Sequence, residues 1–159
     1  MSRAWPVPNI KPKQSVAKNA NRILSVRLDE LFSYSQNLPD PDAVAELHNA
    51  RIAAKRLRYT LELFPALIGK AGAAAIEQLK GIQNDLGIIH DLDVRMDLIA
   101  NEIETLADAT DEADVNARDG LESLLKRQRA SRNRLHRTFV KNWQRLEESD
   151  FRGSLVNAT

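Results

Sequence analysis

The chain has 159 residues, 43% of them hydrophobic and 28% charged, and a formal net charge of +1. This composition indicates one globular domain with a buried core and excludes a disordered chain. With no cysteine, disulfides, thiol catalysis and thiolate metal sites are excluded as well.

Apolar residues recur at helical spacing throughout, so an all-α protein is expected. The first predicted helix covers about residues 15–36. After a break at 37–42, a second helix is capped by Asp40 or Asp42 and ends near Phe64.

A turn at Gly69 and Gly72 precedes the third predicted helix, which covers about residues 73–107 and has a bend near Gly81 or Gly87. The carboxylates of TDEAD, residues 110–114, then cap the fourth helix, which continues to about Glu148.

Four helices with short connections predict an antiparallel four-helix bundle with long helices. The bundle occupies residues 15–148, after an N-terminal arm at 1–14 and before a frayed or short tail at 149–159. No apolar run approaches the ~18 residues of a membrane span. Because the N-terminus lacks the apolar core of a signal peptide, we expect a cytoplasmic protein with no membrane partner.

The charges are unevenly distributed along the chain. Residues 85–114 carry ten acidic side chains against Arg95 alone, whereas residues 126–145 carry eight Lys and Arg and no acid. The distribution of charge, rather than its sum, therefore indicates the function.

The second predicted helix has a row of cations beside its core face. At 100° per residue, one stripe holds the apolar side chains of Leu47, Ala50, Ala54, Leu57, Leu61 and Phe64. His48, Arg51, Lys55 and Arg58 fall together on its flank. A solvated flank is one interpretation, but on this face only Glu62 could neutralise them.

The fourth predicted helix places Arg132 inside its core stripe, with Arg129 and His136 at the edge. An arginine facing the interior needs a carboxylate or an anionic ligand. Asp93 of the third helix could pair with Arg132, and a ligand contact is the open alternative. Lys80 could join the same positive groove.

Arginine-rich surfaces with few aromatic residues suit phosphate, because guanidinium forks hold phosphate oxygens while bases need stacking partners. HDLD, residues 90–93, invites a metal site, but with three histidines in the chain a pairing of these acids with arginines is favoured. No acid–base pair or metal cluster emerges from the pattern. We therefore expect a binding protein and not an enzyme, with no metal and no cofactor.

Two segments, LHNARIAAKRLRYTLELF and LKGIQNDLGIIHDLDV, resemble the CHAD domain, the conserved histidine α-helical domain family. The family pattern is H-x-x-R-x-x-x-K/R-R-x-R ending in L-x-x-F, followed on another helix by L-x-x-x-Q-x-x-L-G and D-x-D-V. The likeness is close over residues 42–100 and looser through ESDFRGSL.

The resemblance implies a helical bundle that binds inorganic polyphosphate on a positive surface, with the family's basic ligands falling on His48, Arg51, Lys55 and Arg58. Family members commonly contain two such four-helix halves, whereas this chain holds one. Either it works as a single half or two copies associate to rebuild the pair, which favours a homodimer. Binding to the phosphate backbone of RNA by the arginine-rich fourth helix is the alternative. The expected groove, between the second and fourth helices, is lined by His48, Arg51, Lys55, Arg58, Lys80, Arg129, Arg132 and His136.

Overall fold

Five helices and no strand make up the computed structural model, which describes residues 3–108 and 110–156. The prediction of an all-α bundle is confirmed. The helices are α1 (Val16–Phe32), α2 (Val44–Leu63), α3 (Pro65–Thr105), α4 (Glu112–Glu148) and α5 (Phe151–Val156). None of the helices in the described ranges is long and apolar enough to cross a membrane.

The start of α2 differs from the prediction. Its N-cap is Ala43, whose side chain makes no capping bond, so the assignment of Asp40 or Asp42 as the cap is wrong. Asp40 instead accepts a hydrogen bond from the backbone N–H of Asp42 at 2.9 Å. Its carboxylate therefore closes a local turn before the helix, where short polar side chains compete with helical bonding.

The third helix begins at Pro65, earlier than predicted, because a proline at the first helical position loses no hydrogen bond. The backbone leaves helical geometry inside α3 at Gly69, where φ is +49°. The expected break at Gly69 is thus confirmed. At Gly81 and Gly87, where a bend was expected, the backbone keeps helical geometry.

The carboxylate cap of α4 is confirmed: Asp111 accepts a hydrogen bond from the backbone N–H of Ala113 at 3.2 Å. Of the frayed or short tail predicted after Glu148, residues 151–156 are not frayed, since they form α5 and bury Phe151 and Leu155; residues 157–159 lie outside the described residues. An aromatic contact explains why this segment is ordered: Phe32 of α1 lies 6.3 Å from Phe151 and 5.4 Å from Trp143 of α4, centroid to centroid.

Helix α3 lies between α2 and α4. It packs on both of them and on α5, while α2 packs on α1 and α3. The pairs His48–His90 and Arg58–Gln83 show that α2 and α3 are antiparallel. The core they enclose is rich in leucine and includes Leu28, Leu31, Leu38, Leu57, Leu61, Leu79, Leu86, Phe139 and Trp143.

Among the described residues, two carboxylates are buried inside this apolar core or at its edge, namely Glu30 and Asp93. Glu30, with no exposed surface, accepts hydrogen bonds from Arg27 and from Arg56 of α2. Arg27 also donates to the backbone carbonyl of Trp5, which ties the N-terminal segment to α1. Pairing compensates for the loss of hydration that each of these charges suffers on burial.

Alanine substitutions at two glycines of α3 should have opposite effects. Gly69→Ala should lower the free energy of unfolding by about 1–2 kcal/mol, because a Cβ disfavours positive φ. Gly81→Ala should raise it by about 0.5–1 kcal/mol, because an added Cβ meets nothing within 4 Å and alanine favours the helix. Urea denaturation followed by circular dichroism measures both; equal effects would contradict a break confined to Gly69.

Candidate anion-binding groove

The cation row of α2 lies beside its buried face, as predicted. Leu47, Ala50, Ala54, Leu57 and Leu61 are buried, while Phe64 is half-buried. His48, Arg51 and Arg58 are half-buried and Lys55 is exposed. Since α2 rises about 1.5 Å per residue, the row from His48 to Arg58 extends over about 15 Å of helix surface.

The opposite wall of this groove belongs to α3. Gln83 accepts a hydrogen bond from Arg58 Nε and donates one to the carbonyl of Ala54, both at 3.3 Å. Arg51 Nε lies 3.6 Å from the point where a Cβ on Gly87 would stand. A flat helix surface at Gly87 therefore lets the Arg51 guanidinium rest directly against α3. We call this surface, between α2 and α3, the α2–α3 groove.

The cations of the groove differ in how far they are already neutralised. Arg58 pairs with Glu62 at 2.6 Å and Lys80 pairs with Glu77 at 2.7 Å. Within the described part of the chain, no carboxylate pairs with Arg51 or Lys55. Lys55 and Arg58 also lie over the ring of Tyr59, at 5.6 and 4.6 Å from its centroid. The face of the Tyr59 ring therefore contacts two cations on the outer side of the α2 row.

A histidine pair closes one end of the groove. The rings of His48 and His90 are 4.6 Å apart, centroid to centroid, and His48 Nδ1 is buried without a hydrogen-bond partner. Burial, followed by the neighbouring His90 and Arg51, lowers the pKa of His48 below its ordinary value of 6.5. A neutral imidazole at this position donates a hydrogen bond without adding charge.

Gln83, Gly87 and His90 were not among the predicted site residues. A signal for them exists in the sequence, because their spacing places them on one face of a helix. Only the antiparallel pairing of α2 with α3 shows that this face meets His48, Arg51 and Arg58.

Arg132 lies outside the α2–α3 groove, in a buried ion pair. It is 4% exposed, and its Nε and Nη2 donate to the two carboxylate oxygens of Asp93 at 2.8 and 3.3 Å. Of the two alternatives for Arg132, the structure therefore shows the pairing with Asp93. This pairing leaves the guanidinium little surface to contact an anion.

His136 is also buried, with 3% of its surface exposed, and its Nε2 donates to the carbonyl of Leu38 at 2.9 Å. Burial lowers its pKa below 6.5 more than the bond to Leu38 raises it. His136 thus anchors the connection between α1 and α2 on α4. The expected groove between helices 2 and 4 is not formed within one chain, because α3 separates α2 from α4.

The other cations of α4 between residues 126 and 145 point outward. Each is exposed and, within residues 3–108 and 110–156, pairs with no carboxylate; they are Lys126, Arg127, Arg129, Arg134, Arg137, Lys141 and Arg145. We call this surface the α4 ridge. Arg129, predicted to line the groove, belongs to it.

The structure of the described residues adds no support for a metal site at residues 90–93. Asp93 faces Arg132, and Asp91 is exposed on α3. Across the described residues, no group of three or more His, Asp or Glu side chains is placed to hold a metal ion.

The fold is an all-α bundle in which a row of polar and cationic side chains lies where the antiparallel helices α2 and α3 meet. The chain belongs to the CHAD domain family, whose model matches residues 3–100, more than half of its length. The family is associated in general with polyphosphate binding. Comparisons with curated proteins and with solved structures found no match.

Variants at the Arg132–Asp93 pair separate a structural role from a ligand contact. Asp93→Leu should lower the free energy of unfolding by about 3–5 kcal/mol, because it leaves a buried guanidinium unpaired. The double variant Asp93→Leu/Arg132→Met should recover most of that loss, as measured by urea denaturation. Its affinity for polyphosphate should stay within about twofold of the parent. A folded double variant that no longer binds would place Arg132 in the ligand site.

Proposed function

We propose that this domain binds inorganic polyphosphate, without catalysis, in the α2–α3 groove. His48, Arg51, Lys55 and Arg58 form one wall, and Lys80 extends the other. In this proposal Arg129 lies outside the groove, and Arg132 and His136 support the fold.

One contrast supports the proposal most strongly. The buried arginines Arg27 and Arg132 each have a carboxylate partner, whereas Arg51 and Lys55 have none in the described ranges. Unpaired cations held beside a neutral imidazole and the Gln83 amide offer charge and donors to an anion. A guanidinium binds phosphate oxygens in a fork and stays charged at any physiological pH.

The shape of the groove favours a linear ligand. The row from His48 to Arg58 extends along α2 over about 15 Å, so successive phosphoryl groups of one chain could contact successive side chains. All these groups hold charge or donate hydrogen bonds, which is the chemistry of binding. We therefore propose retention of the polyphosphate and not its hydrolysis.

A second candidate is binding of the RNA phosphate backbone by the α4 ridge. Its support is the run of exposed, unpaired cations over residues 126–145, where no acidic residue occurs. Against base recognition, Trp143 of the same helix is buried and offers no ring for stacking. The ridge would therefore make phosphate contacts alone, with an affinity that falls steeply with salt.

Paired charge removal on the two surfaces should distinguish these candidates. Arg51→Gln/Lys55→Gln should weaken polyphosphate binding by about tenfold or more, because a charge-assisted hydrogen bond contributes ~1.5–3 kcal/mol. Arg134→Gln/Arg137→Gln removes the same charge from the α4 ridge and should weaken it by about threefold or less. Fluorescence anisotropy with labelled polyphosphate and single-stranded RNA of equal charge, across a salt series near 0.15 M, is the measurement.

The opposite ranking of the two variants would move the polyphosphate site to α4. RNA that competes equally with polyphosphate for the parent protein would favour the second candidate. Circular dichroism at 222 nm checks that both double variants are folded.

Homodimerisation, which the resemblance implies, stays a prediction. Leu98 of α3 is 65% exposed. Because α2 begins at Val44, near the His48–His90 contact, Leu98 lies past the N-terminal end of α2 and is not covered by it. A second copy of the chain that packs on this part of α3 would bury Leu98. Sedimentation equilibrium of the parent and of Leu98→Asp should show a dimer and a monomer; a monomeric parent would contradict the prediction.

A further inference from the structure

The contact between His48 and His90 brings two imidazoles from different helices to one end of the α2–α3 groove. Both side chains are half-buried, so each retains a solvent-facing part. His90 was not predicted to contact the ligand, and it is not one of the buried core residues.

The charged groups around this pair are mainly positive. Arg51 and Lys55 follow His48 along α2, and after burial itself the neighbouring His90 and Arg51 lower the pKa of His48. On α3, Asp91 is exposed beside His90, and Asp93 is held by Arg132 of α4. On the α1 side of α2, Arg27 and Arg56 pair with Glu30. No carboxylate in the described ranges bonds to either imidazole.

The buried Nδ1 of His48 adds a second constraint. Protonation of His48 would place an N–H on both ring nitrogens, and Nδ1 has no acceptor in the structure. Without an anion, the imidazolium therefore faces like charges and an unsatisfied donor. Burial and these neighbours accordingly lower the pKa of His48.

A polyanion in the groove reverses the sign of the local potential. Negative phosphate oxygens beside Arg51 would offset its charge, so the imidazolium form of His48 becomes favourable. We propose that His90 is a ligand-contacting residue and that its neighbour His48 takes up a proton from solvent when polyphosphate binds. This inference rests on the proposed function and specifies how the same groove responds to pH.

Proton uptake makes binding stronger as the pH falls. Each proton bound along with the ligand changes the association constant by up to about tenfold per pH unit, between the pKa values of His48 in the free and the ligand-bound protein. The internal phosphates of a long polyphosphate are fully ionised near neutral pH, so the dependence belongs to the protein. Phosphate contacts from Arg51 alone would give no such dependence, because a guanidinium does not titrate there.

The test measures proton uptake directly. Isothermal titration calorimetry with long-chain polyphosphate, at pH 6.5 and 7.5 in two buffers of different ionisation enthalpy, yields the number of protons bound per site. The full chain should take up a fraction of a proton to about one proton and bind several-fold more tightly at pH 6.5. His48→Asn should abolish most of the uptake, and His90→Asn should weaken binding at both pH values. Arg51→Gln should weaken binding at both pH values while leaving the uptake in place.

The outcomes separate this inference from the proposed function. If the parent binds with no proton uptake, if His48→Asn keeps the uptake, or if His90→Asn binds as tightly as the parent, the inference is overturned while the proposed function stands. If Arg51→Gln binds as tightly as the parent, the proposed function fails and the inference fails with it. His136 is present in every variant, so its own titration cannot produce a difference among them.

Discussion

Pairing of buried carboxylates with arginines is the interaction on which the rest of the site depends. Glu30 takes Arg27 and Arg56, and Asp93 takes Arg132, because a charge removed from water must find a partner inside the protein. These pairs join α1 to α2 and α3 to α4. They also divide the cations of the chain into those that hold the bundle together and those that remain available for an anion.

Helix α3 determines where the available cations meet. It lies between α2 and α4, so the positive side chains of these two helices cannot form one groove within a chain. Instead Arg51 rests on α3 at Gly87, and Gln83 bonds Arg58 as well as the backbone of α2 at Ala54. The Gln83 amide therefore fixes both the guanidinium and the helix that carries it, which reduces the entropy lost when an anion binds.

The two basic surfaces have different physical character. In the α2–α3 groove, the half-buried Arg51 and Arg58 lie against a second helix, and the contact between His48 and His90 lies at one end. Along the α4 ridge, the cations are exposed, where bulk water and salt screen them strongly. Under the proposed function, selectivity for one polyanion over another would come from the groove, while the ridge would add long-range attraction. Membership of the CHAD domain family agrees with a binding role for the bundle.

Much of this arrangement could be predicted from the amino-acid sequence. Helical periodicity established the all-α bundle, the stripe from Leu47 to Leu61 established the core face of α2, and the spacing from His48 to Arg58 placed four polar groups on one flank. The kink at Gly69 and the Asp111 cap followed from local backbone chemistry. Such features depend on residues a few positions apart, which is why sequence spacing determines them.

Contacts between distant segments were decided only by the tertiary structure. Whether Arg132 meets Asp93 or a ligand depends on the register of α3 against α4, and residues 39 positions apart carry no local signal of it. Phe151 packs against Phe32, which also contacts Trp143, and Leu155 is fully buried, so long-range contacts hold α5 on the core. The meeting of His48 with His90 likewise requires two helices to pack antiparallel. Sequence thus determined which side chains share a helix face, and the packing of the helices determined which faces meet.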